Sequence, residues 1–440
     1  MTDHTATGRP PQEPAPHEIL VSRRYLGRLL FCLVLGIPVA FACFFFVSLQ
    51  HWLQHLVWET LPHHLGHDEP PWWWPLPTLV LAGLVLIPVV TRMPGRGGHL
   101  PVDGLGGTPL GPDALPGVVL AALTVLPLGV PLGPEAPLMA VGSGLALLAV
   151  RRLPHPVGPQ EAALLATAGS TAAISTILGG PLVAAILVVE AAGIAGLRLV
   201  VLLLPCLITS AAGALVFTGF GNWTGLETGA LSLTGVPADT RPDAGDFLWG
   251  IPLAALIAGL VVLARRFGLR TAGWTERRPV SRTLLCALAI GVLLAGYALL
   301  TGRNPAEAAL SGQTTLAALA ADPQAWSVAA LLALVACKGL AWGVALGSFR
   351  GGPVFPSLLV GAAAAVACAG LPGLGTTPAL AVGIAAAAAA VTRLPLSGSV
   401  LAFLLLGTDG HHQMPLVITA AVTAVLVAQF MHNREQEKAA

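Results

Sequence analysis

The sequence predicts an all-α polytopic membrane protein made of two inverted-topology halves with broken and re-entrant helices. Three observations carry that expectation. Of 440 residues, 55% are hydrophobic and only 10% charged, against roughly 25% charged residues in soluble domains. Apolar runs near the roughly 20 residues of a helical crossing recur from Leu29 to Phe430. A segment broken by glycine and proline near residue 133 has a counterpart near residue 352, and such matched breaks are the mark of an inverted-repeat transporter. Because lipid satisfies no backbone polar group, the 51 Gly and 37 Pro belong in loops or at helix breaks buried in protein.

Residues 1–22 are polar, lack a signal-peptide core, and read as a disordered cytoplasmic tail. The arginines of Ser22-Arg23-Arg24-Tyr25-Leu26-Gly27-Arg28 weakly resemble a twin-arginine export signal. The apolar run behind them continues to about Gln50 without a cleavage site, so they read instead as a positive-inside anchor. The first transmembrane half is 23–220. Its hydrophilic loop 51–75 ends in Trp72-Trp73-Trp74, expected in an interfacial belt. A second span covers 76–90, a glycine-rich stretch 92–101, and apolar segments 118–130, 138–150, 161–177 and 199–217 follow. Residues 221–247 are a linker loop. The second half, 248–432, has spans near 248–263, 284–300 and 327–344, with a polar segment at 301–325. Arg265, Arg266, Arg270, Arg277, Arg278 and Arg282 read as one cytoplasmic loop. Residues 433–440 are a second cytoplasmic tail, giving a multi-pass plasma-membrane protein with both termini cytoplasmic.

The repeat is specific. Gly133-Pro-Glu-Ala-Pro137 matches Gly352-Pro-Val-Phe-Pro356, and Val141-Gly142 matches Val360-Gly361 at the same offset. Further on, Pro181-Leu182 with Leu187 matches Pro395-Leu396 with Leu401. Pro137 reads as a helix start, because proline fits the first turn. The free N–H groups of that turn form an anion site, and Glu135 stands just before it as a tethered anion.

Other chemistry has less support. The net charge of +1 gives no sign of a nucleic-acid partner. The six cysteines (Cys32, Cys43, Cys206, Cys286, Cys337 and Cys368) all fall in apolar runs without CxxC spacing and read as small buried hydrophobes. The twelve histidines, including His63, His64, His67, His411 and His412, read as solvated loop residues rather than a metal site. No metal or cofactor is expected. A hydrolase built on Gly142-Ser143-Gly144 lacks a histidine base within an apolar span, and close helix packing explains the motif better.

These motifs resemble the CLC family of chloride channels and chloride/proton antiporters. Gly133-Pro-Glu-Ala-Pro137 is similar to the family's G-[KR]-E-G-P signature, and Arg350-Gly-Gly-Pro-Val-Phe-Pro356 to its G-x-F-x-P signature. Gly97-Gly-His-Leu-Pro101 stands where G-S-G-I-P is expected. Stretches 181–190, 394–405 and 408–430 also resemble family segments. The resemblance implies a homodimer in the lipid bilayer, each subunit with its own anion pathway. It implies an anion site at Gly98, His99, Leu100, Pro101, Gly133, Glu135, Ala136, Pro137, Val354, Phe355 and Pro356. Glu135 would be the gating glutamate, competing with chloride and swinging away when protonated.

Four departures from the family pattern shape the functional expectation. Gly98 replaces the signature serine, so a serine restored there is expected to strengthen anion binding. Val354 replaces the signature phenylalanine, with Phe355 one residue later. The only tyrosines are Tyr25 and Tyr297, neither at the place of the family's pore tyrosine. Ala191 falls where proton-coupled members carry an inner glutamate, and its neighbour Glu190 is the remaining candidate for a proton route with Glu135. The expected function is transport of chloride or a similar small monovalent anion, passive or weakly proton-coupled, with no enzymatic step. The alternatives are a fluoride or other-anion/proton antiporter of the same family and a non-conducting membrane scaffold.

Overall fold

In the computed structural model the described residues are 20–105, 109–178, 180–193, 196–225, 233, 235–237, 241–407 and 410–439. Most of the tail 1–22, part of the linker 221–247, Gly179, Thr408, Asp409 and the last residue of the tail 433–440 lie outside them.

Helices make up nearly all of the described chain, and seven of them are long and apolar enough to cross a membrane. The first half runs α1 (Arg23–His55), α2 (Pro75–Arg92), α3 (Leu115–Val125), α4 (Glu135–Arg151), α5 (Pro159–Ser175), α6 (Pro181–Ala192) and α7 (Leu197–Thr224). The second runs α8 (Ala244–Arg277), α9 (Pro279–Thr301), α10 (Gln313–Ala321), α11 (Val328–Ser348), α12 (Val354–Val366), α13 (Thr376–Thr392), α14 (Pro395–Leu406) and α15 (Gly410–Ala439). Proline sits at the first or second position of α2, α3, α5, α6, α9 and α14, where its missing N–H costs no helical bond. Helices α3, α4, α6, α12, α13 and α14 have 11–17 residues. That is short of a full crossing, so their ends lie inside protein.

The repeat seen in sequence is a repeat of packing. A Cβ on Gly142 would lie 2.2 Å from the Gly169 carbonyl oxygen, which brings α4 and α5 backbone to backbone. Gly361 and Gly383 do the same for α12 and α13, at 2.5 Å. Without a hydrophobic drive between helices in lipid, such close approach is what holds them together. The halves meet where the equivalent residues Gly133 and Gly352 form an antiparallel bridge, with N···O distances of 2.8 and 2.5 Å. Pairing a residue antiparallel with its own counterpart is what a two-fold relation between the halves produces.

One face of the molecule collects the arginines. Arg24 and Arg28 at the start of α1 pair with Glu161 in the first turn of α5, which follows Arg151 at the end of α4. Tyr25 of α1 donates to the Val201 carbonyl, the next residue Leu202 lines a cavity with Arg265, and Arg266 donates to the Met431 carbonyl at 2.7 Å, so the start of α1 and the last turns of α15 share this basic face. Here the structure differs from the loop expected from sequence. Arg265, Arg266, Arg270 and Arg277 lie on α8, Arg278 joins the helices, and Arg282 lies on α9. The helix outlasts its apolar stretch because its last turns still pack inward, with Gly268, Thr271 and Thr275 buried. Other boundaries shift similarly: α7 covers the first residues of the linker, and α15 continues to Ala439. Of the tryptophan triplet, Trp72 and Trp73 are exposed, whereas Trp74 is buried and donates to the Val57 carbonyl at 3.1 Å. His63, His64, His411 and His412 lie on helical turns rather than in loops.

Candidate functional site

The centre of the molecule is made by two helix starts. Pro134 and Pro353 are the N-caps, and α4 and α12 begin directly after them at Glu135 and Val354. Pro137 is therefore the third helical residue rather than the first, and Glu135 lies inside the turn rather than before it. That register has a chemical consequence. Pro137 and Pro356 carry no N–H, so the donors left without a helical partner in each first turn are those of Glu135 and Ala136, and of Val354 and Phe355. These two pairs are brought together by the Gly133–Gly352 bridge.

Glu135 is fully buried. Its Oε1 accepts the Phe355 N–H at 2.7 Å, and its Oε2 has no hydrogen-bond partner among the described residues. The carboxylate thus sits on the N-terminus of α12, the positive end of that helix dipole. Glycine is required on both sides. A Cβ on Gly133 or Gly352 would fall 2.1 or 1.7 Å from Oε2, so any side chain at either place would displace the carboxylate.

A cavity of about 570 Å³ leads from the basic face to this site. Ala136, Met139 and Ser143 of α4 line it, with His99 of the first motif, Arg265 and Ala191. The structure thus unites Gly133, Glu135, Ala136, Val354 and Phe355, and places His99 on the same cavity. Leu100 turns away to a different cavity, while Pro101, Pro137 and Pro356 are buried packing residues. Gly98 has φ +103, and a Cβ there would meet only Val118 at 3.4 Å. Space would admit a serine, but the backbone conformation disfavours one. A serine at this place would therefore not simply add a hydroxyl to the site. The two tyrosines are engaged elsewhere, Tyr25 with the Val201 carbonyl and Tyr297 with Glu307. Ser143 donates to the carbonyl of Ala140 in its own helix, at 3.1 Å.

Glu190 holds the halves together at a second point. Its oxygens accept the N–H groups of Leu396 (2.9 Å) and Ser397 (2.7 Å), and the Ser397 hydroxyl (2.7 Å). It caps α14 from the end of α6, and both oxygens are used.

Lys338 was not singled out by motif. It is one of two lysines in the chain, the other being Lys438, and it lies within the apolar span α11. It is fully buried, and its Nζ donates to the carbonyls of Ala308 (2.9 Å), Ala309 (2.9 Å) and Leu310 (3.1 Å). Leu310, at φ +58, donates in turn to the Gly129 carbonyl at 3.2 Å. The 301–325 segment is thereby tied to the chain entering the Glu135 turn. The available signal was a lone ionisable residue inside a span, which marks a functional position by default. Leu310 also lines a cavity of about 1020 Å³ beside the far end of α1 at His55, with Trp58, Arg303 and Glu307. Arg303 shapes it, pairing with Glu307 at 2.8 Å and lying 3.9 Å from the centroid of the Trp326 ring.

The family's sequence profile, described as voltage gated chloride channel, matches residues 98–429. The chain is 30% identical over 347 residues to a protein of Escherichia coli O1:K1 / APEC named "Putative ion-transport protein YfeO", covering 78% of this chain and 79% of that protein. Among solved structures it is similar to a CLC-type fluoride/proton antiporter (TM-score 0.72, 18% identity, 93% of this chain and 97% of that one). It is likewise similar to a slow cyanobacterial Cl⁻/H⁺ antiporter (TM-score 0.74, 19% identity, 93% and 95%). With a match spanning most of its membrane part and two inverted helix starts meeting around Glu135, this chain belongs to the CLC family of anion-transporting membrane proteins.

Proposed function

We propose that the chain passes chloride or a similar small monovalent anion between the cavity on the basic face and the one beside the far end of α1, with Glu135 as the gate. The observation that carries this reading is the Glu135 carboxylate itself, lodged on the free N–H of Phe355 where a dehydrated anion would bind. Among the described residues no cationic side chain pairs with Glu135. Partial charges of helix starts hold an anion weakly enough for release, whereas a full positive charge in the membrane is costly. Deprotonated, Glu135 competes with the anion. Protonated, it is a poorer acceptor and leaves the turn.

Coupling to protons is weak or absent in this reading. Ala191 stands at the inner position on the cavity from the basic face, whose lining carboxylate, Asp103, lies instead on the first-motif loop, and Glu190 has both oxygens committed to α14. The positive-inside rule puts the basic face, with the start of α1 and the end of α15, in the cytoplasm of a plasma-membrane protein. Membership of the family supports reading it as a homodimer. The second reading is an anion/proton antiporter, favoured by the titles of the two solved structures above. Paired chloride and proton flux in the same liposomes separates the two. Chloride flux with little proton movement is expected; uphill proton transport driven by a chloride gradient overturns the passive reading. Absence of any anion flux, fluoride included, would leave the scaffold role.

A further inference from the structure

A second cavity opens on the basic face, on the other side of the first-motif loop from the anion path. It measures about 480 Å³, within the roughly 300–1,000 Å³ of small-molecule sites. Arg350, Arg96, Thr283, Ser348 and Glu276 are among its lining residues. Arg350 is only 8% exposed. Its Nε donates to the Arg96 carbonyl at 3.1 Å and its Nη1 to the Phe349 carbonyl at 3.2 Å. Its Nη2 makes no hydrogen bond, and no carboxylate pairs with the guanidinium, among the described residues. A guanidinium has five N–H donors; Asp103 acts on Arg350 electrostatically without touching it, and a buried charge whose donors are not all satisfied is expensive.

Arg96 is the second cation. It is exposed, has no ion pair among the described residues, and sits at φ +49 between glycines. An L-residue with a long side chain is disfavoured there, where glycine or asparagine would be at ease. The single carboxylate lining the cavity, Glu276, pairs with neither arginine among the described residues. Beside the cavity runs an apolar groove between α8 and α9, lined by Phe267, Trp274, Leu285 and Val344. Thr275 of the cavity and Cys286 of the groove approach to 4.0 Å.

We propose that this cavity binds a phosphate-bearing anion, with Arg350 and Arg96 as its charge partners. The groove gives an acyl chain a course beside the cavity and makes the headgroup of an anionic phospholipid the favoured source, because basic pockets between helices on this side of a membrane suit such headgroups. The site is distinct from the chloride path, yet Arg350 grips the first-motif loop and leads directly into Gly351 and Gly352 beside Glu135. Occupancy is therefore expected to change anion flux, a consequence that rests on the function proposed above; the binding itself does not.

Binding is measured without flux. Purified full-length protein is titrated with inorganic phosphate by calorimetry. In parallel, nanodiscs of phosphatidylglycerol or phosphatidylcholine are compared for lipid retained through native mass spectrometry. Arg96→Asn suits the backbone and removes the charge, and should weaken binding tenfold or more, the effect of losing one charge-assisted hydrogen bond. Glu276→Gln should strengthen it several-fold. Both residues are exposed, so the variants keep the fold. Phosphatidylglycerol retention that shifts with both variants supports the headgroup, and inorganic phosphate binding that shifts with both supports a free-phosphate source. No binding of either, or binding indifferent to both substitutions, overturns the proposal.

Discussion

Two fully buried charged residues, Lys338 and Glu135, are held in opposite ways. Lys338 has three ammonium donors and three carbonyl acceptors at 2.9–3.1 Å. Among the described residues Glu135 has one N–H bonded to one oxygen and no hydrogen bond on the other. A fully satisfied buried charge is a fixed part of the structure, because any movement breaks several charge-assisted bonds, each worth about 1.5–3 kcal/mol. A half-satisfied one has one such bond to lose. On the function proposed above, this difference in hydrogen-bond count is that between a strut and a gate, and each half of the comparison can be broken.

The largest effect is expected at Lys338. Lys338→Met leaves three buried carbonyls facing an apolar chain, and each acceptor left unsatisfied costs about 1–3 kcal/mol. The thermal unfolding midpoint in detergent should fall sharply. Lys338→Arg should fall nearly as far, since a planar fork does not match three carbonyls converging on one point. A midpoint unchanged in both would remove Lys338 from the role of strut.

Gly352→Ala should act on the other member of the pair. The new Cβ would take the place of Glu135 Oε2, so the carboxylate must leave the α12 turn while the helices stay. Anion flux should become nearly independent of pH, and adding Glu135→Gln should change it little further. Retained pH dependence in Gly352→Ala would mean that the carboxylate has another resting place.

Glu135→Gln alone should give high flux across the pH range. In the wild type, flux should rise as pH falls, because protonation removes the charge that binds the Phe355 N–H. The sign follows from the bond: the charged form blocks, the neutral form yields. Chloride efflux from liposomes at a series of pH values measures both. A wild-type profile that falls with acid, or a Gln variant that keeps the wild-type slope, would reduce Glu135 to a helix cap.

Much of this centre was legible in the chain. The Gly-Pro pairs before Glu135 and Val354 announce two equivalent helix starts, and the Val141-Gly142 and Val360-Gly361 offsets place the helix contacts. The register within the first turn was not, because proline is welcome at several early helical positions, and only the structure puts Pro137 third. Nor was the pairing of Glu135 with Phe355, a contact across 220 residues between segments that no local pattern joins. Lys338 was visible as an oddity, yet its partners are backbone carbonyls, which every sequence has. The conformation of Gly98 was hidden too: a glycine in place of serine reads as a lost hydroxyl, whereas its φ shows a different backbone.

The smallest effect sharpens the contrast from a third position. Glu190 is a carboxylate held as Lys338 is, with both oxygens engaged, so it should behave as a strut even though its neighbour Ala191 lines the cavity. Glu190→Gln keeps an acceptor for the first turn of α14 and loses the charge opposite its dipole. The expected stability loss is therefore that of a weakened cap, about 1 kcal/mol or less. Glu190→Ala, without an acceptor, should lose up to about 2 kcal/mol. Neither should alter the ratio of protons to chloride moved in liposomes, because the group has no free oxygen to take up and hand on a proton. A ratio that drops in Glu190→Gln while the unfolding midpoint hardly moves would show the opposite. Glu190 would then be a carrier rather than a cap, and the passive reading would give way to the antiporter.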